Sequence, residues 1–315
     1  MQTIDVAVIG AGPAGMTAGI YLGRARLDVV VFEKAMAGGQ MAISDWIENF
    51  PGFGEGISGM ELSARMREQA LKAGAVFVEE EITEIRNEKG RFLLKAGENK
   101  EYKALSVIIA TGAMPKRMGI AGEEKFTGKG VSYCATCDAP LFKGKTVVVI
   151  GGGDTAVQEA LFLSKYCKKV YLVHRRDRLR AAKILAERFN SCKNIEPVWN
   201  SVVAEIKGDK KVTGVVIKNV GAIHELPLRQ IACDGVFIFA GITPASEIVK
   251  GLVDIGENGH IVVDDSMKTS CEGLFACGDV RKKLLLQIVT ACGEAATASV
   301  SAQHYVEKLK GTEYD

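Results

Sequence analysis

Cys134-Ala135-Thr136-Cys137 sets two thiols with two residues between them, a spacing that can close a small disulfide ring and open it on reduction. Neighbouring groups can lower one thiol's pKa and make it the attacking one. Asp138 follows directly, and a carboxylate there can exchange a proton with a thiol as the ring opens, if burial raises its pKa toward the working range. The pair reads as redox and not as a metal site, because no second cysteine pair stands at zinc spacing. The other six cysteines, Cys167, Cys192, Cys233, Cys271, Cys277 and Cys292, are too sparse for a disulfide framework in 315 residues and read as ordinary buried thiols.

Two glycine-rich segments have the pattern of dinucleotide loops. Gly10-Ala11-Gly12-Pro13-Ala14-Gly15 fits GxGxxG, where glycine permits a tight turn and lets a pyrophosphate meet a helix N-terminus. Glu33, 23 residues beyond Gly10, stands where it can accept hydrogen bonds from a ribose hydroxyl. Gly151-Gly152-Gly153-Asp154-Thr155-Ala156 repeats the pattern, with alanine in the last place, where the helix packs on its strand. Here the residues 23 positions on are His174-Arg175-Arg176, with Arg180 behind them, so fixed positive charge replaces the acid. A 2′-phosphate suits that charge, and the second loop is expected to take NADPH in preference to NADH.

The elements that must hold these loops follow from an internal repeat. Val6-Ala7-Val8-Ile9-Gly10 matches Val147-Val148-Val149-Ile150-Gly151, and each run passes through glycines into a helical pattern and then a second β-branched run. Val157, Ala160, Leu161 and Ser164 form the inner stripe of the second helix. A further correspondence links Val107–Gly112 to Val236–Gly241, each an apolar strand ending in glycine before a turn at Pro115 or Pro244. Another strand-like run, Leu274-Phe275-Ala276-Cys277, ends at Gly278-Asp279 and precedes a long helical pattern. The economical layout is α/β: two Rossmann-like nucleotide domains, with residues 116–244 inserted between 1–115 and 245–315 of the first.

Composition fits this layout. A hydrophobic content of 47% with 25% charged residues excludes a disordered chain and a membrane bundle. Forty Lys plus Arg against 38 Asp plus Glu gives +2, too balanced a field to imply nucleic acid or anionic lipid as a partner. The uncharged stretch Val6–Gly23 is broken by six glycine or proline positions, and no basic residue precedes Arg24, so neither a membrane span nor a signal peptide is expected. Polar residues through 284–303 argue the same for the last helix. The expectation is a cytoplasmic protein.

GAGPAG, Gly38-Gly39-Gln40, Glu48-Asn49-Phe50-Pro51-Gly52, Ala110-Thr111-Gly112, CATCD, GGGDTA, HRRD and Gly278-Asp279, in that order, resemble the low-molecular-weight thioredoxin reductases over essentially the whole chain. The resemblance implies FAD in the first domain, NADPH in the inserted domain, a disulfide near the flavin and a homodimer. By matching position it implies that Gly10, Gly12, Pro13, Ala14, Gly15, Glu33, Lys34, Gly39, Gln40, Asn49, Ala110, Thr111, Gly112, Gly278, Asp279, Gln287 and Ile288 line the FAD site. Gly151, Gly153, Asp154, Thr155, Ala156, His174, Arg175, Arg176 and Arg180 would hold NADPH. It further implies hydride passing from NADPH to flavin and electrons from flavin to the disulfide, followed by thiol exchange with thioredoxin. Cys137 would face the flavin, Cys134 would attack the partner and Asp138 would serve as acid and base. The domains would rotate about turns near Pro115 and Pro244.

The chain departs from the family pattern in places. Leu286-Gln287 stands where many members have Arg-Gln, Ala139-Pro140 follows CATCD where glycine is common, and Cys292-Gly293-Glu294-Ala295 replaces a more glycine-rich stretch. Arg281-Lys282-Lys283 makes a basic loop that reads as a solvated turn. Competing readings keep the disulfide chemistry but draw electrons from ferredoxin, NADH or a deazaflavin, or serve a peroxiredoxin- or glutaredoxin-like acceptor. The intact GGGDTA and HRR weigh against a ferredoxin donor. A flavin-binding sensor without turnover is the reading from a different class, and the CATCD motif beside a second nucleotide loop weighs against it.

Overall fold

The β-branched run Thr3–Ile9 forms β1, and the glycines after it turn the chain into α1 (Pro13–Arg24), which returns it to β2 (Val29–Phe32) parallel to β1. The structure, a computed structural model, describes residues 3–88, 90–97, 100–220 and 228–313. The short α2 (Gly39–Ala42) and α3 (Gly59–Ala73) follow, and α3 is capped by Ser58, whose hydroxyl accepts Glu61 N. β3 (Val76–Val78) adds to β2, and β4 (Ile82–Glu88), β5 (Arg91–Ala96) and β6 (Lys100–Ile109) form an antiparallel meander. β6 then lies parallel to β1 on the side away from β2, giving the order β3-β2-β1-β6-β5-β4, with the late strand Leu274–Ala276 also paired to β6.

Period-two alternation buries this sheet on both sides. Val6, Val8, Val31 and Ile108 pack with α1 and the C-terminal helix Ile288–Lys310, while Ala7, Ile9, Phe32 and Ile109 face a second cluster with Phe92 and Leu94. Side chains covered on both faces explain why the strand reads as a continuous apolar run.

Residues Met1–Met114 and Thr243–Asp315 make one compact unit and Pro115–Ile242 the other. In the second unit the strands Ile195–Val198, Lys169–Val173, Thr146–Ile150, Gly235–Ile238 and Val131–Ser132 lie in that order in a parallel sheet. The helix Asp154–Ser164 connects Thr146–Ile150 to Lys169–Val173. A separate antiparallel sheet, Ser201–Gly208, Val212–Asn219 and Arg229–Ala232, completes the unit. The expected fold class, mixed α/β with two Rossmann-like parallel arrangements, is what the chain adopts.

At the chain crossings each unit ties down its own end. In the first, Ala245 N donates to Gly112 O at 3.0 Å and Thr111 Oγ1 to Ala245 O at 2.6 Å. In the second, Lys116 N donates to Gly241 O at 3.0 Å.

Candidate functional site

Cys134 and Cys137 are bonded, with Cα atoms 5.4 Å apart. Ala135–Asp138 make a single helical turn, and Cys137 N donates to Cys134 Sγ at 3.1 Å while Asp138 N donates to Cys134 O at 3.3 Å. A sulfur already aligned with a backbone N–H is the one whose thiolate the fold stabilises when the ring opens. Cys134 N is itself held by Ser132 Oγ at 3.1 Å. Cys137 is exposed, whereas Cys134 and Asp138 are half-buried. Thr136, between the two sulfurs in sequence, has a buried hydroxyl with no hydrogen-bond partner among the described residues.

The segment entering the ring is braced. Tyr133 donates to Glu123 Oε1 at 2.5 Å, and the same carboxylate accepts Met118 N at 3.0 Å and Ile120 N at 2.9 Å. Burial, helped by the Glu123 hydrogen bond, pushes the Tyr133 hydroxyl up to about 12. Burial alone would raise Glu123, but the hydrogen bonds it accepts outweigh that and hold it below the ordinary carboxylate value. The remaining six cysteines are free. Burial pushes Cys167 up to about 11 and Cys233 up to about 12, and it raises Cys277 and Cys292 as well, so these stay protonated thiols. Cys192, Cys271 and Cys292 are only half-buried, short of the expectation for all six.

In the first unit the expected flavin-lining residues converge from distant parts of the chain. No side chain caps the first turn of α1 after Gly12, and Pro13 opens the helix. A Cβ on Gly15 would lie 1.8 Å from Gly10 O, and one on Gly10 2.5 Å from Ala110 O, so these two glycines are required by the loop's own packing. At Gly12 and Gly112 a Cβ would meet nothing within 4 Å, which leaves backbone open to a ligand. Gly38 N donates to Ala11 O at 2.8 Å, bringing Gly39 beside Gly12, and Gly278 lies against Ala14. Asn49 Nδ2 donates to Gln287 Oε1 at 2.9 Å across 238 residues of sequence. Gln287 also caps the last helix through Thr290, which sets Ile288 as its first residue. Gln40 Nε2 reaches Met114 Sδ at 3.9 Å. Glu33 accepts Ala11 N at 2.9 Å and Ala35 N at 3.2 Å, so the carboxylate ties the glycine loop to the end of β2. Lys34 turns instead to the surface and pairs with Glu81 at 3.3 Å. An uncapped helix start, open glycine backbone and a fixed carboxylate fit a dinucleotide with a ribose and a pyrophosphate.

The second loop uses different ties. Arg180 N donates to Gly152 O and Ala182 N to Asp154 Oδ1, each at 2.7 Å, so the segment after the basic strand end is pinned over the start of the helix. Arg180 Nη2 lies 3.8 Å from the Cβ position of Gly153. Ala156 is buried, close to the Cβ position of Gly151, while Thr155 is exposed. His174 is 6% exposed, with Trp199 edge-on at 6.4 Å, and its ring fills the space a Cβ on Gly152 would need. Burial first, then Arg180, Arg176 and Arg175, lowers its pKa, so His174 is a neutral imidazole and not the fixed charge its position suggests. Its Nε2 is buried and has no hydrogen-bond partner among the described residues, an orphaned polar atom that fits a site built for a polar ligand. The positive charge belongs to Arg175, Arg176 and Arg180, all exposed. Gly152 and Trp199, which shape this corner, were not singled out in the sequence; the clue was the middle glycine of GGG, which the motif itself does not require.

The loop after Gly278-Asp279 corrects another expectation. Arg281-Lys282-Lys283 is not a solvated turn, because the Lys283 side chain is 4% exposed and pairs with Asp279 and Glu294. A run of basic residues conceals this partner set. The available signal was an acid four residues before Lys283 and another eleven after it.

Among the described residues no group of three or more His, Cys, Asp or Glu could hold a metal ion, and no helix is long and apolar enough to cross a membrane. The pyridine nucleotide-disulphide oxidoreductase family profile matches residues 4–295. The thioredoxin reductase of Bacillus subtilis (strain 168) is 47% identical over 309 residues, covering 98% of this chain and 96% of that one. The crystal structure of Lactococcus lactis thioredoxin reductase in its FR conformation superposes with a TM-score of 0.93 at 42% identity, over 97% of this chain and 99% of that one. The thioredoxin reductase of T. acidophilum does so with a TM-score of 0.91 at 36% identity, over 98% and 100%. With its paired Rossmann-like units and bonded Cys134–Cys137, the chain belongs to the pyridine nucleotide-disulphide oxidoreductase family, on the low-molecular-weight thioredoxin reductase branch, and is a flavoprotein disulfide reductase.

Proposed function

We propose that the chain reduces thioredoxin with NADPH through FAD, with FAD held by the discontinuous first unit and NADPH by the inserted unit. The observation that carries the donor assignment is the strand end at 174–180, where Arg175, Arg176 and Arg180 are exposed and Asp154 pins the segment through Ala182 N. A 2′-phosphate is the charge such a cluster recognises. The acceptor assignment rests on relatives that are thioredoxin reductases. A homodimer in the cytoplasm, as the family resemblance implies, is part of the same proposal.

In the first unit Gly10, Gly12, Ala14, Gly39 and Gly278 would present close backbone to FAD, Glu33 its ribose acceptor, and Asn49 with Gln287 an oriented amide pair. The flavin supplies a two-electron carrier between a hydride donor and a disulfide. Two electrons and two protons convert the Cys134–Cys137 bond to a dithiol. Cys134 then attacks one sulfur of the acceptor disulfide as a thiolate, supported by Cys137 N, and the leaving thiolate takes a proton. Cys137 attacks Cys134 Sγ in the mixed disulfide, restores the ring and releases the second acceptor thiol, with Asp138 beside it to move the proton.

The test is an anaerobic titration of the purified protein with NADPH and separately with NADH, following flavin absorbance, with oxidised thioredoxin added afterwards. Bleaching by NADPH that thioredoxin reverses is the expected result, with Cys134→Ser and Cys137→Ser each abolishing reversal. Bound flavin that neither nucleotide reduces but reduced ferredoxin or a deazaflavin does would overturn the donor assignment.

A further inference from the structure

We propose that Lys283 is a positioning residue for the flavin site, acting through Asp279 and locked by Glu294. This rests on the reading of Asp279 as a residue that meets FAD. Gly278–Val280 form a tight turn after the strand Leu274–Ala276, and Lys283 folds back from beyond the turn. Its Nζ lies 2.9 Å from Asp279 Oδ1 and 3.3 Å from Glu294 Oε2. Glu294, one of the C-terminal helix residues, is 13% exposed, and its Oε2 also accepts Gly278 N at 2.9 Å. One carboxylate therefore grips both the backbone that starts the turn and the cation that closes it. Arg281 Nε stands 3.9 Å from Glu294 Oε1, and Arg281 Nη1 meets Met267 Sδ at 3.1 Å, so two acids and two bases balance in a partly buried cluster.

Lysine is almost never buried to 4% without a partner, because its ammonium loses solvation that only nearby carboxylates replace. What the cluster secures is the orientation of Asp279. Its Oδ1 is buried and ion-paired with Lys283 without hydrogen-bond geometry, while the side chain as a whole is 34% exposed, so Oδ2 is the oxygen left to accept from a ligand hydroxyl. Glu294 sets Lys283, Lys283 holds Oδ1 by charge, and Oδ2 is left for the ligand.

The experiment follows FAD release from the full-length holoprotein on dilution, by flavin fluorescence, for K283M, D279N, K283M/D279N, K283R and E294Q. Binding of 2′,5′-ADP by each variant reports the integrity of the inserted unit. K283M is expected to weaken FAD retention roughly tenfold or more, since breaking a buried pair exposes the full cost of the stranded partner. Adding K283M to D279N should cost less than twofold further, because Lys283 acts through the carboxylate already removed. K283R should stay within about threefold of the unmodified chain, and E294Q should lose about threefold by freeing Lys283. Multiplying effects in the double variant, or full retention in K283M, would overturn the positioning role and leave the flavin reading standing. Unchanged retention in D279N would overturn the flavin reading of Asp279 itself, and this inference with it. Should K283M fail to fold, K283R and E294Q decide the matter, since full retention by E294Q contradicts the lock.

Discussion

In the first unit the carboxylate that steadies the glycine loop comes from the neighbouring strand end, Glu33 reaching back to Ala11 N. In the inserted unit it sits on the first residue of the helix, and Asp154 reaches out to Ala182 N. Both arrangements satisfy a loop N–H with a carboxylate, but they leave opposite charge at the strand end. Moving the acid onto the helix frees positions 174–176 for an imidazole and two arginines while the loop remains tied. A repeated strand-loop-helix frame can therefore change the charge it presents at the strand end by relocating one anchoring carboxylate, without altering the frame.

Removing the charge at the second strand end should have the largest effect. Arg175→Ala with Arg176→Ala should raise the KM for NADPH by roughly 100-fold, at about tenfold for each charge-assisted contact, and leave NADH within about twofold. Steady-state kinetics with both nucleotides decide it, and equal losses would mean that the arginines do not read the 2′-phosphate. At the first loop, Glu33→Ala should weaken FAD retention by about tenfold while 2′,5′-ADP binding is unchanged. A loss of both would show that Glu33 supports the fold and not one site.

Asp154 sharpens the contrast further. Asp154→Asn keeps an oxygen for Ala182 N and removes a negative charge from a helix N-terminus where a phosphate would approach, so 2′,5′-ADP affinity should hold or improve slightly. Asp154→Ala frees the loop and should weaken it by about three- to fivefold, which calorimetric titration can resolve.

The smallest expected effect is a pH dependence. His174 has a folded pKa below its ordinary value of 6.5, so protons favour the unfolded chain. Its contribution is intact above about 6.5 and is lost as pH falls from there through the lowered folded value. The melting temperature should therefore drop by a few degrees less between pH 7.5 and 5.5 in His174→Gln than in the unmodified chain, on the order of 2 °C. Identical pH profiles would remove burial of the imidazole from the account.

Much of this was legible because local rules act within a few residues. The repeat of Val6–Gly10 at Val147–Gly151 announced two parallel α/β units, since apolar runs ending in glycine have few other uses. The CxxC spacing announced a ring that the fold does close. Other features were hidden for physical reasons. His174 read as a charge beside its arginines, but burial under Gly152 makes it neutral, and depth in a structure has no local signature. Arg281-Lys282-Lys283 read as solvated because a basic run usually is, whereas Lys283 finds Glu294 eleven residues away only once the last helix is docked. The Asn49–Gln287 pair, 238 residues apart, lies beyond any pattern of spacing.

Residue type and spacing alone carried the chemistry classes: a redox cysteine pair, two glycine-rich strand-loop-helix frames, and the acidic or basic character of each strand end. These depend on side-chain type and on separations that backbone geometry fixes over a turn or a strand. Only the folded chain decides which groups carry charge, which oxygen of Asp279 is buried beside Lys283, and which carboxylate anchors each loop. Those outcomes depend on desolvation and on partners supplied by distant segments, which exist only when the sheet and its last helix have closed around them.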